Sequence, residues 1–176
     1  MAVPKVIGTE IGHGVIVPND PNLDPIPASL LLVNSYHSYH GDPQRRLLWD
    51  HDQEEPFMDA RCFEVDAAFE PPDDQSNSIN IILTNGARHY LDHAHPEFST
   101  PECTNARDIV CHEKAGERIL EVSRSRAESR LPGGQRIMIY KNNSDRKGNS
   151  YACHENYLMD RHKPFERIVE HFCRAR

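Results

Sequence analysis

Long apolar runs are missing from this sequence. No stretch approaches the ~20 consecutive apolar residues that cross a bilayer. The run Leu30 to Val33 is too short for a signal-peptide core and has no basic flank or cleavage site. The chain therefore reads as soluble. Aromatic residues are scarce at 7%, so the expected core is aliphatic and modest. Cysteine is sparse: the five residues Cys62, Cys103, Cys111, Cys153 and Cys173 are odd in number and show no CxxC spacing. That argues against a disulfide framework and points to a reducing, cytoplasmic setting. Positive charge is in deficit, with a formal net charge of -7, which opposes sequence-independent nucleic-acid binding. Local basic pockets for a nucleotide or a carboxylate remain compatible with it.

What is present fits one domain of 176 residues with no internal repeats. Val3 to Ile7 and Val15 to Val17 read as short strands around Gly8, Gly12 and Gly14, either paired or joined through a bulge. Pro18 to Pro27 reads as a loop. Ser29 to Tyr39 reads as a helix with Leu30, Leu31, Val33 and Tyr36 toward the core. Residues 44–78 form a polar, acidic insert punctuated by prolines, and a segment of that length is more often functional or disordered than structural. Ile79 to Thr84 reads as a strand, Asn85-Gly86 as a tight hairpin turn, and His89 to Asp92 as the returning strand. Thr104 is the expected N-cap of a helix over Ala106 to Arg130 that buries Ile109, Val110, Ile119, Leu120 and Val122. Its charged positions read by default as a solvated face. Pro132, Gly133 and Gly134 stop it. Gln135 to Tyr140 and Ser150 to Leu158 are extended, and Phe165 to Cys173 starts a last helix. Hairpins interleaved with helices imply an α+β fold with a mainly antiparallel sheet.

The chemistry concentrates in NGARHYLDHAHPEFSTPE, Asn85 to Glu102. Tyr90 and Asp92, two apart, share one strand face. Glu97 and Glu102 follow Pro96 and Pro101, which are expected to break that strand. Glu10 adds a carboxylate from the N-terminal strand. Carboxylates from separate strands suit a hard cation such as Mg2+, especially where phosphate completes the shell. Taken singly, Asp92 fits a ligand, a base or a salt-bridge partner, and Arg88 fits a surface hairpin charge as well as a phosphate fork. His154 fits a core histidine as well as a metal or nucleotide contact. The pair His93 and His95, with Cys103, Cys111, His112 or Cys153, is a weak zinc pattern, because it lacks the tight ligand pairs of zinc sites.

The pattern NGAR-x-YLD-x-x-HPE-x-x-TPEC resembles the enzymes that attach, deamidate or remove the prokaryotic ubiquitin-like protein Pup, distant relatives of glutamine synthetase. GTE near the start, WDHDQEEPFMDAR, HEKAGERILE and YKNNSDRKGNSYACHENYL extend the likeness over most of the chain, as the N-terminal part of a longer catalytic domain. DHAHPE and the long insert resemble the deamidase and depupylase branch more than the ligase branch. The resemblance implies a glutamine synthetase-like fold, ATP and Mg2+ as cofactors, and Pup and pupylated proteins as partners, with an indirect link to the proteasome. It implies Asp92 as the catalytic aspartate, acting as a base on water or attacking the amide carbonyl itself. It implies Glu10, Tyr90, Glu97 and, more weakly, His154 at the metal, and Arg88 and Thr100 at the nucleotide. Pup ligation and a non-catalytic Pup-binding role are the rival implications. One departure stands out. Where the family has Glu-x-Glu, this chain has Glu10-Ile11-Gly12, so weak Mg2+ affinity is expected.

Overall fold

The computed structural model describes residues 5–18, 25–40, 80–92, 94–142 and 153–174. The expected insert 44–78 and His93 lie outside the described residues.

Strand β1 (Ile7–Gly12), β2 (Gly14–Ile16), helix α1 (Pro25–His40), β3 (Asn80–Ile82), β4 (Arg88–Asp92), β5 (His95–Ser99), α2 (Ala106–Glu128), β6 (Met138–Tyr140), β7 (Cys153–Tyr157) and α3 (Phe165–Arg174) follow in that order. Five strands form a sheet in the order β3-β4-β5-β1-β7, and every neighbouring pair is antiparallel. β2 and β6 form a second, two-stranded sheet. This is the α+β layout with antiparallel strands that the sequence implies. No helix among the described residues is long and apolar enough to cross a membrane.

Period-two alternation sorts the sheet into two faces. Ile11, His89, Leu91, Pro96 and Phe98 are buried on the face that meets the helices. α1 packs on β4 and β5, α2 on β1, and the two helices on each other. Arg88, Tyr90 and Asp92 occupy the other face of β4. The core is aliphatic: Val15, Val17, Leu32, Leu120 and Ile137 cluster with Ala28 and Ala127.

Several local expectations change. β1 runs through the glycines rather than before them, and β1 and β2 belong to different sheets instead of pairing. α1 begins at Pro25, since the first helical turn has no N–H bonds for proline to lose. Its deepest apolar residues are Leu32 and Val33, while Leu30 and Leu31 are half-buried. Pro96 does not end strand structure but lies inside β5, where its carbonyl accepts the His13 N–H at 3.1 Å. The β3–β4 loop is a three-residue turn: Gly86 N–H donates to the Leu83 carbonyl, Leu83 N–H to that of Ala87, and Gly86 takes φ 85°. Asn105, not Thr104, caps α2, accepting the Asp108 N–H at 2.9 Å. The buried stripe of α2 is Ile109, Gly116, Leu120, Ser123 and Ala127, which leaves Val110 and Val122 exposed on its flank. Gly116 is where α2 crosses β5, and a Cβ there would overlap the Phe98 ring.

Candidate active site

Register assembles the site on the face away from the helices. Tyr90 lies opposite Glu97, and Glu97 opposite Gly12. In the adjacent row, Arg88 lies opposite Ser99, Ser99 opposite Glu10, and Glu10 opposite His154. Asp92 pairs with His95 at the end of the β4–β5 ladder. Because residues two apart share a face, all of these positions line one surface spanning four strands.

Hydrogen bonds then join the side chains. The Ser99 hydroxyl donates to the Tyr90 oxygen at 3.3 Å, and the Tyr90 hydroxyl donates to Glu97 Oε2 at 2.9 Å. Glu97 lies close enough to Glu10 for each carboxyl to shift the other. His154 Nδ1 stands 3.6 Å from Glu10 Oε1, an ion-pair distance too long for a hydrogen bond. The Arg88 guanidinium lies over the Tyr90 ring at 4.5 Å, and its Nε donates to Asn80 Oδ1 at 3.2 Å. Thr100 Oγ1 accepts the Thr9 N–H at 2.9 Å, while the Thr100 N–H reaches the Thr9 carbonyl at 2.9 Å.

Two adjacent carboxyl groups in a half-dry setting cannot both ionise cheaply. Burial, then the bond to Glu10, pushes the Glu97 carboxyl up to about 8, and the Asp92 charge adds to the effect. At Glu10, burial also raises the pKa, but bonds with Glu97 and Tyr90 and the nearby His154 outweigh it, so Glu10 lies below the ordinary carboxylate range. The pair thus holds one proton on the Glu97 side. Burial drives the Tyr90 phenol far up, so its oxygen is a neutral donor.

An open cleft of ≈ 430 Å³ adjoins this surface, with Gly8, Glu10, Ser99, Thr100 and Glu102 on its walls beside residues of β7. Glu10, Tyr90 and Glu97 thus lie together on one face, with Asp92 and Arg88 on the same face and Thr100 in the cleft. His154 is peripheral, with its side chain 61% exposed. No group of three or more His, Cys, Asp or Glu side chains is arranged to hold a metal among the described residues. Cys103, Cys111 and Cys153 are free thiols. Ser99 and Asn80 enter the network unannounced by the motif. Gly12 occupies the position beside Glu97 from which a side chain would point onto the same face as Glu10.

A family model described as Pup-ligase protein matches residues 5–174. A depupylase of Acidothermus cellulolyticus is 50% identical over 171 residues, 95% of this chain and 34% of that protein. A Pup deamidase/depupylase of Mycobacterium tuberculosis is 45% identical over 170 residues, 94% of this chain and 34% of that protein. The chain thus spans about a third of the length of these curated relatives. Among solved structures, the complex between Pup and its ligase PafA matches with a TM-score of 0.63 and 25% identity, covering 96% of this chain and 28% of that one.

Proposed function

The chain belongs to the Pup-ligase protein family, and from that premise we propose that it carries the acidic face of a site hydrolysing the side-chain amide at the C-terminal residue of Pup. The amide is that of a C-terminal glutamine, which yields glutamate and ammonia, or the isopeptide bond to a substrate lysine, which yields the free amine. Both present the same carbonyl, so one site serves both. The observation that carries this reading is Asp92 on one strand face with Tyr90, its charge acting on Glu97. Relatives named depupylase or Pup deamidase at 44% to 50% identity support the same chemistry.

Asp92 acts on the amide by one of two balanced routes. It takes the proton of a water as the water oxygen adds to the carbonyl carbon, and the proton passes to the leaving nitrogen as the C–N bond breaks. Alternatively, its own oxygen adds to the carbonyl, the C–N bond breaks as the nitrogen takes a proton from water, and the hydroxide so formed splits the resulting anhydride and frees Asp92.

ATP and Mg2+ are the cofactors of this reading, and the donor set fits them. Mg2+ usually takes one or two carboxylates plus phosphates and water rather than an all-protein cage. Glu10 and Glu97 supply that number, and the proton between them is one that a cation would displace. Tyr90 adds a neutral oxygen, and His154 adjoins Glu10. Arg88 and Thr100 would offer phosphate oxygens a guanidinium and a hydroxyl. A Mg2+ ion held by Glu10 and Glu97 would supply the positive charge that favours the ionised form of both carboxylates.

A second reading, ligation of Pup to lysine, is favoured by the PafA complex. One assay separates them. With ATP, Mg2+ and Pup ending in glutamine, the account expects ammonia release. Isopeptide formation from Pup ending in glutamate would favour ligation, and neither product would overturn both readings.

A further inference from the structure

One buried polar side chain behind the acidic face takes no part in the reaction proposed above. His89 is fully buried on the helix-facing side of β4. The pattern NGAR-x-YLD leaves its position open, so the resemblance to the Pup enzymes assigns it no role. Its Nδ1 stands 3.1 Å from the main-chain carbonyl of Glu97. A carbonyl only accepts, so Nδ1 carries the proton and donates. Burial keeps the ring neutral, which leaves Nε2 without a proton. Nε2 has no hydrogen-bond partner among the described residues. Tyr36 of α1 meets the ring edge-on, with centroids 6.0 Å apart and planes at 84°, which braces it from the helix side.

The bond falls where β5 is short of a donor. Pro96, just before Glu97, has no N–H to give to a neighbouring strand. Glu97 turns its side chain to the opposite face, where its carboxyl accepts the Tyr90 hydroxyl. One residue is thus gripped by its carbonyl on the helix side and presents its carboxyl on the site side. We infer that His89 is a positioning residue for Glu97: its Nδ1–H fixes the Glu97 main chain, so that the carboxyl is set for Tyr90 and for the cation. The effect on the cation rests on the proposed reading of Glu97 as a Mg2+ ligand. The placement of the carboxyl can be read without metal, so the two can fail separately.

The test compares the wild type with His89→Leu, which keeps an apolar body but no donor, and His89→Asn, whose amide nitrogen replaces Nδ1 as the donor. Long-range proton–nitrogen NMR of the metal-free wild type should show His89 as the Nδ1–H tautomer. Carbon-13 NMR should show the Glu97 side-chain carboxyl resonance displaced in His89→Leu and returned toward its wild-type position in His89→Asn. Calorimetric titration of Mg2+ with ATP present should show about fivefold weaker binding in His89→Leu, the scale of one lost hydrogen bond, and near wild-type binding in His89→Asn. Urea midpoints should move the other way. His89→Leu removes an unpartnered buried nitrogen and should be at least as stable as the wild type, while His89→Asn leaves a cavity and should be less stable. A role in the core alone would make the resonance and the affinity follow the midpoint instead. The inference is overturned by that pattern, by an Nε2–H tautomer, by an unchanged Glu97 resonance in His89→Leu, or by failure of His89→Asn to restore it. If the wild type binds no Mg2+, Glu97 is not the ligand proposed, and the metal-free resonances still decide the role of His89.

Discussion

At the scale of single residues, the site turns on one proton held between two carboxyl groups. Ser99 bonds Tyr90, Tyr90 bonds Glu97, and Glu97 lies beside Glu10. Ser99→Ala removes the hydrogen bond that orients the phenol, a bond worth about 1 kcal/mol. Calorimetric titration of Mg2+ with ATP present should show roughly fivefold weaker binding, restored by Ser99→Thr; unchanged affinity would remove Ser99 from the site. Gly12 offers the opposite experiment. Its position opposite Glu97 faces the pair, and it is not among the glycines with positive φ, so the backbone accepts a side chain. Gly12→Glu should tighten Mg2+ binding on the order of tenfold by adding a hard oxygen and should destabilise the metal-free protein by like-charge repulsion. Equal affinity in both proteins would show that a second carboxylate at this position is dispensable. Spacing made Tyr90 and Asp92 legible as neighbours on one strand face, while the roles expected of them and of Glu10 and Glu97 came from the resemblance to the Pup enzymes. Ser99 and Asn80 were not, since a serine or asparagine in a strand is ordinary until register shows what lies opposite.

At the scale of elements, helix propensity and packing compete at Gly116. Alanine in a helix interior is favoured over glycine by about 1 kcal/mol. Here the added methyl meets the Phe98 ring where α2 crosses β5, and overpacking a close contact costs about 1–3 kcal/mol. Gly116→Ala should therefore lower the denaturant midpoint, and a raised midpoint would mean that Phe98 moves aside freely. Type and order of the elements were readable from periodicity and from the glycine and proline signals that bound α2 and the β3–β4 hairpin. Boundaries and buried faces were less so. Val110 and Val122 are apolar enough to suggest burial, yet the stripe is set by small residues, Gly116, Ser123 and Ala127, whose role is close approach and which carry little hydrophobic signal. Pro96 looked like a breaker because proline cannot donate to a ladder, but its carbonyl still accepts from His13.

At the scale of the whole molecule, buried ionisable groups set the pH dependence of stability. Burial holds His13 and His89 near 4, below their ordinary 6.5. Each adds stability above pH 6.5 that is lost as pH falls toward 4. Glu97, raised to about 8 from 4.5, acts in reverse: its contribution is full below pH 4.5 and is lost as pH rises through 8. Between pH 4.5 and 6.5 two histidines outweigh one carboxyl, and above 6.5 only the carboxyl still changes. Urea denaturation should show a maximum near pH 6.5, and Glu97→Gln should flatten the fall above it; a wild-type curve rising steadily to pH 8 would contradict these assignments. The central claim is that this acidic face, with Asp92 at its edge, performs amide hydrolysis on Pup. Its most direct test measures ammonia release from Pup ending in glutamine, with ATP and Mg2+, in the wild type and in Asp92→Asn. The account predicts release by the wild type and loss of at least about a hundredfold in the variant, the scale of a missing general base, with nucleotide affinity nearly unchanged. Wild-type turnover in Asp92→Asn would contradict it.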